Sequence, residues 1–328
     1  PFPTGGTGVS ANPDPNVDLQ WDSDGEVTIN SAGNYLFAVN GHSDNISAFK
    51  IGSSGGLTPV VGSPYPSGGS QPASIAIDFN ALGNNVSLMV VVNKDSDPLV
   101  TATNPSYTSF KVSSTGVLTQ DSSYALPAGS SPAQALIEPK SNNFFGMEFL
   151  SSQISSYKLN QKGAITPLSS LATLGPVVGA VLHPTVRTLY ATLPTVHTIG
   201  TFTWNSAGGL SLFGNVNDSG MAVCWDALNA AGTRLYTAET NSSSVTVWDL
   251  TNTKHPIQLQ HVTVTGTGAK PTHTRVDPTG KFLYVLDRTA VLHVFDIASD
   301  GTIAENHTPY NLELPANTVP LGLAVLMK

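Results

Sequence analysis

The sequence predicts an all-β fold, a β-propeller of four-stranded blades. Three observations predict it: a composition poor in helix-surface residues, one phrase that returns six times, and about four short strands in each return. Charged residues are only 11% of the 328, while Gly numbers 30 and Pro 23. Amphipathic helices need Glu, Lys and Arg on their outer faces, and this chain cannot supply many. Frequent turn formers and β-branched residues favour strands instead.

The repeated phrase is a turn followed by a short apolar-aromatic strand. It reads Gly33-Asn-Tyr-Leu-Phe-Ala-Val39, then Ser87-Leu-Met-Val-Val91, Asn143-Phe-Phe-Gly-Met147, Arg187-Thr-Leu-Tyr-Ala191, Arg234-Leu-Tyr-Thr-Ala238 and Lys281-Phe-Leu-Tyr-Val285. With Phe37, Met89, Phe145, Tyr190, Tyr236 and Tyr284 as equivalents, the separations are 52, 56, 45, 46 and 48 residues. A second phrase keeps the same beat. Alternating strands such as Ile46–Ile51, Tyr107–Val112, Ile154–Leu159 and Ile199–Trp204 each lead into a Gly-containing turn. Val245–Leu250 has the same pattern, but its turn is Thr251-Asn-Thr-Lys254, without Gly. Period-two alternation marks half-buried strands, and the Gly marks the hairpin bend. A third phrase opens each unit, as in Pro72–Ile77, Pro132–Ile137 and Pro271–Val276. A period near fifty residues with four strands per unit is a propeller signature.

Six full blades are expected across residues 26–314 of a single domain. Val319–Val325, within 315–328, reads as the inner strand of a seventh blade. Pro1-Phe-Pro-Thr-Gly-Gly6 echoes Ser63-Pro-Tyr-Pro-Ser-Gly-Gly69, so residues 1–25 read as the outer edge of that closing blade and an acidic loop. Seven blades are therefore favoured. Three sources remain open for the missing middle strands: residues before Pro1, strands donated by a second copy or partner chain, or a six-bladed ring that needs none.

The formal net charge is −8, with no block of Lys or Arg. Nucleic-acid binding needs a basic stripe, so that class is set aside. No apolar run approaches the roughly 18 residues of a membrane span. Cys224 alone can form no internal disulfide, and it reads as a buried small hydrophobe. A surface rich in Ser, Thr and Asn and poor in charge suggests a secreted or periplasmic protein. No metal or cofactor motif is present. Gly52-Ser-Ser-Gly-Gly56 fits G-x-S-x-G but lies in a hairpin turn with no following helix. The acidic stretch Asp14, Asp18, Asp22, Asp24 and Glu26 lacks calcium-loop spacing and reads as a solvated loop.

Two stretches carry a family likeness. Pro278-Thr-Gly-Lys-Phe-Leu-Tyr-Val-Leu-Asp-Arg288 resembles a blade of the lactonase-type seven-bladed propellers, the family of 6-phosphogluconolactonase and carboxymuconate cycloisomerase. Leu235-Tyr-Thr-Ala-Glu-Thr-Asn-Ser-Ser-Ser-Val-Thr-Val247 resembles another of its blades. The resemblance implies that Arg288 and Glu239 match the family's arginine and glutamate. Thr272 and Arg275 stand where the family often has Arg and His, which weakens the transfer of lactonase activity.

In propellers the loops between strands two and three, and the segments leading into strand one, reach the mouth of the central channel. The first group supplies His42, Lys94, Glu148, His197, Glu239 and Arg288; the second supplies His273, with Arg275 close behind it. Opening a lactone needs a base for water and a cation or N–H donors for the oxyanion. Glu148, Glu239, His273 and Arg288 are the candidate catalytic residues, and His42, Lys94, His197 and Arg275 the candidate ligand-binding ones. The apolar flanks Phe144–Met147 and Phe149 suggest a raised carboxyl pKa for Glu148. Two functions stay open. One is hydrolysis or isomerisation of a lactone or sugar-acid-like small molecule. The other is a non-catalytic propeller that binds a protein partner or builds an assembly, its incomplete blade filled by another chain.

Overall fold

The computed structural model describes residues 2–11, 21–139 and 141–326. It is an all-β propeller of four-stranded antiparallel blades, six of them among the described residues. The chain divides into two compact units, one of Pro1–Ala172 with Ser206–Gly209, the other of Thr173–Asn205 with Leu210–Met327.

The first unit holds three blades. Blade 1 runs β1 (Val27–Ile29), β2 (Tyr35–Asn40), β3 (Asn45–Ile51) and β4 (Leu57–Pro59), with the short β5 (Tyr65–Pro66) also pairing to β3. Blade 2 is β6 (Pro72–Asp78), β7 (Ser87–Asn93), β8 (Ser106–Val112) and β9 (Leu118–Ala125). Blade 3 is β10 (Pro132–Glu138), β11 (Asn143–Glu148), β12 (Gln153–Leu159) and β13 (Ile165–Ala172). Each sheet follows chain order, as short hairpin turns dictate. The first strands of successive blades touch, β1 with β6 and β6 with β10, so they form the inner side.

The second unit repeats the plan. Blade 4 is β14 (Ala180–Leu182), β15 (Thr188–Leu193), β16 (Thr198–Trp204) and β17 (Leu210–Asn217). Blade 5 is β18 (Val223–Leu228), β19 (Arg234–Glu239), β20 (Ser244–Asp249) and β21 (Ile257–Thr263). Blade 6 is β22 (Pro271–Val276), β23 (Phe282–Asp287), β24 (Val291–Ile297) and β25 (Ile303–Ala304), with β26 (Tyr310–Asn311) also on β24.

The core lies between neighbouring blades. Phe37, Ile75, Met89 and Phe110 join blades 1 and 2, while Val90, Tyr107, Phe144 and Tyr157 join blades 2 and 3. Tyr190, Leu235 and Trp248 join blades 4 and 5; Tyr236, Val247, Leu283 and Phe295 join blades 5 and 6. Five of the six repeat-defining side chains, Phe37, Met89, Phe145, Tyr190 and Tyr236, are fully buried. Tyr284 is not: with Leu292 and Val294 it lies on a half-buried face of blade 6.

A second device locks blade to blade. The turn joining strands three and four is pinned by a side chain of the preceding blade. Tyr35 donates to Ser114 O, Ser109 to Gly163 O and Ser156 to Gly208 O. Tyr190 donates to Thr253 O and Tyr236 to Gly301 O. Gly116, Gly163, Gly208 and Gly301 hold φ between 81° and 89°, a region that Gly enters without strain.

The N-terminal segment sits where its sequence echo implies. A Cβ on Gly6 would lie 2.7 Å from the side chain of Asn40, and one on Gly69 would lie 2.7 Å from Asn93. Asn40 and Asn93 both end the second strand of their blades. Thr7 N also donates to Ser43 Oγ at 2.8 Å. Residues 2–11 and 312–326 form no strand, so the described part of the expected closing inner strand is not paired into a sheet. The Gly52–Gly56 motif is a hairpin turn, closed by Gly52 N donating to Gly56 O at 2.8 Å. Cys224 is buried in β18. Of the acidic stretch, Asp14 and Asp18 lie outside the described residues, whereas Asp24 and Glu26 are buried rather than solvated as expected.

Candidate active site

The last residue of the second strand occupies one repeat position, filled in turn by Asn40, Asn93, Glu148, Leu193, Glu239 and Asp287. In blades 1, 2, 3 and 5 its side chain meets the start of the third strand. Asn40 Nδ2 donates to Ser47 Oγ at 2.8 Å, and Asn93 Nδ2 to Thr108 Oγ1 at 2.9 Å. Glu148 and Glu239 obey the same rule. Both were expected in loops and both end strands instead, because the hairpin that follows each is shorter than the sequence suggests.

Glu148 is almost wholly buried. Tyr157 Oη donates to its Oε1 at 2.7 Å, and Gln153 Nε2 donates to Oε2. Glu239 is fully buried; it accepts from Thr237 Oγ1 at 2.7 Å and Ser244 Oγ at 2.9 Å. Asp218, also buried, accepts from Thr246 Oγ1 at 3.2 Å and Gly220 N at 2.8 Å. Burial and then the charge of Asp218 push the Glu239 carboxyl well above the usual range. Burial likewise raises Asp218, against hydrogen bonds from Gly220 N, Glu239 and Thr246 and the charge of His261. Ligand atoms of Asp218, Glu239 and His261 all lie within 4.8 Å of one another, close enough to share a proton or a small cation.

On the inner side of the second unit, β18 and β22 bring together a different group. The His273 ring lies over Trp225, with centroids 4.9 Å apart and planes 30° apart. The Arg288 guanidinium lies over the same indole, 5.6 Å from its centroid. Trp225 and His273 are fully buried. Thr272 Oγ1 gives its hydrogen to Leu286 O at 2.9 Å and lies 3.3 Å from His273 Nδ1. That geometry fits the Nδ1–H tautomer, in which Nε2 is the basic nitrogen.

Trp225 was not singled out in the sequence, although a signal existed. Aligning the opening phrases puts Ser74, Gln134, Trp225 and His273 at the third position of β6, β10, β18 and β22. Register shifts at or beside that position recur in all four strands. An indole in such a column of inner-facing polar residues is itself the signal.

The remaining candidates are placed as follows. Lys94 follows β7 and is fully buried, its Nζ 2.8 Å from Asp22 O and 3.3 Å from Ser131 O, and 5.4 Å from the Phe149 ring centroid. Burial lowers its pKa to about 8 against the pull of Asp22 and Glu26. Beside it in the first unit, Gln134 Nε2 donates to Asp24 Oδ2 at 3.3 Å. His42 is at the hairpin expected, paired with Asp97 at 2.9 Å. His197 Nδ1 accepts from Ala222 N at 3.0 Å, which makes it a support for the segment leading into β18. Arg275 lies within β22 and donates from Nη1 to Thr274 O at 2.7 Å. Thus His273 and Arg288 are brought together by Trp225, whereas Glu239 keeps its oxygens on Thr237 and Ser244.

A family model described as Lactonase, 7-bladed beta-propeller matches residues 148–318, just over half of the chain. No curated relative matches the sequence. Solved structures resemble it in fold. A periplasmic gluconolactonase from Pseudomonas aeruginosa is 15% identical with a TM-score of 0.73, over 90% of this chain and 88% of that one. A candidate 6-phosphogluconolactonase from Bacteroides fragilis is 16% identical with a TM-score of 0.70, over 87% and 83%. A protein from Lactobacillus plantarum is 18% identical with a TM-score of 0.71, over 86% and 83%.

Proposed function

The chain belongs to the lactonase family of seven-bladed β-propellers, and on that premise we propose that it hydrolyses the lactone of a sugar acid through His273 and Arg288. The single observation that carries this reading is the indole of Trp225 holding an imidazole and a guanidinium on the inner strands. In this reading the His273 imidazole takes a proton from water as that water attacks the lactone carbonyl carbon. In the same reading the Arg288 guanidinium stabilises the negative charge that develops on the carbonyl oxygen. The ring C–O bond then breaks, and the imidazolium returns its proton to the leaving alkoxide, giving the open hydroxy acid. Glu148 and Glu239 have no part in this mechanism, since the side chains held on Trp225 are those of His273 and Arg288.

The test is a pH-stat assay of acid release from glucono-δ-lactone and related sugar-acid lactones. The expected result is turnover above spontaneous opening, with kcat/KM reduced by roughly 10²-fold or more in His273→Gln and Arg288→Gln. Turnover indistinguishable from buffer across the lactones would overturn the reading and favour a partner-binding propeller. The same reading places the protein outside the cytoplasm, supported by its low charge and by the periplasmic gluconolactonase among its structural neighbours. No helix among the described residues is long and apolar enough to cross a membrane. Fractionation of the source cells tests that location.

A further inference from the structure

A cavity lies in the first unit, between blades 2 and 3. Where β9 of blade 2 and the β12–β13 hairpin of blade 3 part, they leave an open cleft of about 490 Å³. Small-molecule sites typically run from about 300 to 1,000 Å³. Tyr124 and Tyr157 supply ring surface, their centroids 5.4 Å apart. Ser155, Ser170 and Gln153 supply hydroxyl and amide groups, and the nearly buried Glu148 also lines it. No Lys, Arg or His lines the cleft.

The charge of Glu148 singles out this seam. In blades 1 and 2 the matching position is a neutral Asn, packed under Gly6 or Gly69. In blade 3 it is a carboxylate that reaches across to Tyr157. Its side-chain hydrogen-bond partners, Tyr157 and Gln153, are both neutral. A buried carboxylate without a cation is costly, and a bound ammonium would offset that cost. Each carboxylate oxygen has a second lone pair to accept from such a donor. Ring surface, hydroxyls and one uncompensated carboxylate together match a polyhydroxylated ring that bears an amine.

We propose that the cleft between β9 and the β12–β13 hairpin is a binding site for an amino sugar. The ammonium meets Glu148, the sugar hydroxyls meet Ser155, Ser170 and Gln153, and the ring packs on Tyr124. A sugar acid is excluded, because its carboxylate would face Glu148 with no cation between them. The cleft is lined by none of the residues assigned to lactone hydrolysis above, on which this reading does not depend, and it selects against the product of that reaction.

Calorimetric titration of the folded chain with glucosamine, glucose and gluconate tests the proposal. Glucosamine is expected to bind one per chain, at least tenfold more tightly than glucose, with no heat from gluconate. Glu148→Gln keeps the shape and removes the charge, so it should erase the preference for glucosamine. Tyr124→Ala should weaken both sugars, with some loss of melting temperature because Tyr124 also packs on Tyr157 and the core of blades 2 and 3. His273→Gln should leave all three titrations unchanged, which separates this result from the fate of the lactonase reading. Absence of glucosamine binding, gluconate binding as tightly, or a preference that survives Glu148→Gln would each overturn it.

Discussion

His293 Nδ1 stands 2.6 Å from Oε1 of Glu305, and both side chains are nearly sealed from solvent. On the other side of the ring, Nε2 lies 3.6 Å from Asp287 Oδ2, an ion-pair distance too long for a hydrogen bond. Burial alone would lower the pKa of His293, but the attraction of Asp287 and Glu305 outweighs it and leaves it raised. Burial would raise Asp287, but His293 and the amides of Thr289 and Lys270 leave it lowered. A raised histidine stabilises the fold fully below its unfolded pKa, about 6.5, and that gain is lost as pH rises through the folded value. A lowered aspartate stabilises above its unfolded pKa, about 3.9, and that gain is lost as pH falls through the folded value. His293 and Asp287 together therefore contribute most between about pH 4 and 6.5. Denaturant melts should give lower stability at pH 8.5 than at pH 6, on the scale of a charged hydrogen bond, about 1.5–3 kcal/mol. His293→Gln should flatten this difference; an equal slope in the variant refutes the assignment.

The paired carboxylates of blade 5 act in the same pH direction, for a different reason. Asp218 and Glu239 are both raised by burial and Glu239 also by the charge of Asp218. An acid with a raised pKa favours the fold at low pH, and that gain is lost as pH climbs through the folded value. Glu239→Gln removes the charge and keeps an oxygen for Thr237 and a similar volume. At pH 7 it should stabilise the protein by about 1 kcal/mol or more, the worth of one pKa unit. Urea titration at pH 5 and pH 7 checks this: the gain should be larger at pH 7. Destabilisation at pH 7 would mean that the ionised pair is compensated, as by a bound cation.

The blades were legible because packing between them repeats. A large side chain in the middle of the second strand packs into a seam in most blades, so its spacing counts blades, although Met89 shares its cluster with Phe37 and Tyr284 lies on a half-buried face. The turn Thr251–Lys254 was readable even without Gly, since the strand before it keeps its alternation and the turn is fixed by Tyr190 donating to Thr253 O. The echo between residues 1–6 and 63–69 was legible for a steric reason: Gly6 and Gly69 each lie against a strand-ending Asn with no room for a Cβ.

The site was less legible, because polar residues at strand ends look like loop residues when read one at a time. Glu148 and Glu239 stand in the column of Asn40 and Asn93, where a side chain that hydrogen-bonds the third strand is a structural requirement of the blade. Their chemistry could not be told from that role without register. Trp225 escaped notice because an indole in an apolar run reads as core, whereas the register shift beside it turns it toward His273 and Arg288.

The seam of blades 2 and 3 also contains a local conflict that can be measured. Tyr107 is fully buried, and its hydroxyl has no hydrogen-bond partner among the described residues. Gly146 lies directly beneath it: a Cβ there would be 2.0 Å from Tyr107 Oη. A buried, unpaired hydroxyl costs about 1–3 kcal/mol, so Tyr107→Phe should be neutral or stabilising, against the usual sign for a buried Tyr. Gly146→Ala should be destabilising by about 1–3 kcal/mol from overpacking, although φ at that strand position suits Ala. The two changes should not add. With the hydroxyl gone, the methyl group introduced by Gly146→Ala meets one less obstacle. The double variant should then recover about 0.5 kcal/mol or more relative to the sum of the singles, the lower end of coupling between touching residues. A thermodynamic cycle from urea melts measures that coupling. Strict additivity would show that the ring of Tyr107, whose Cζ would lie 2.5 Å from that Cβ, rather than its hydroxyl, sets the limit on side-chain size in this seam.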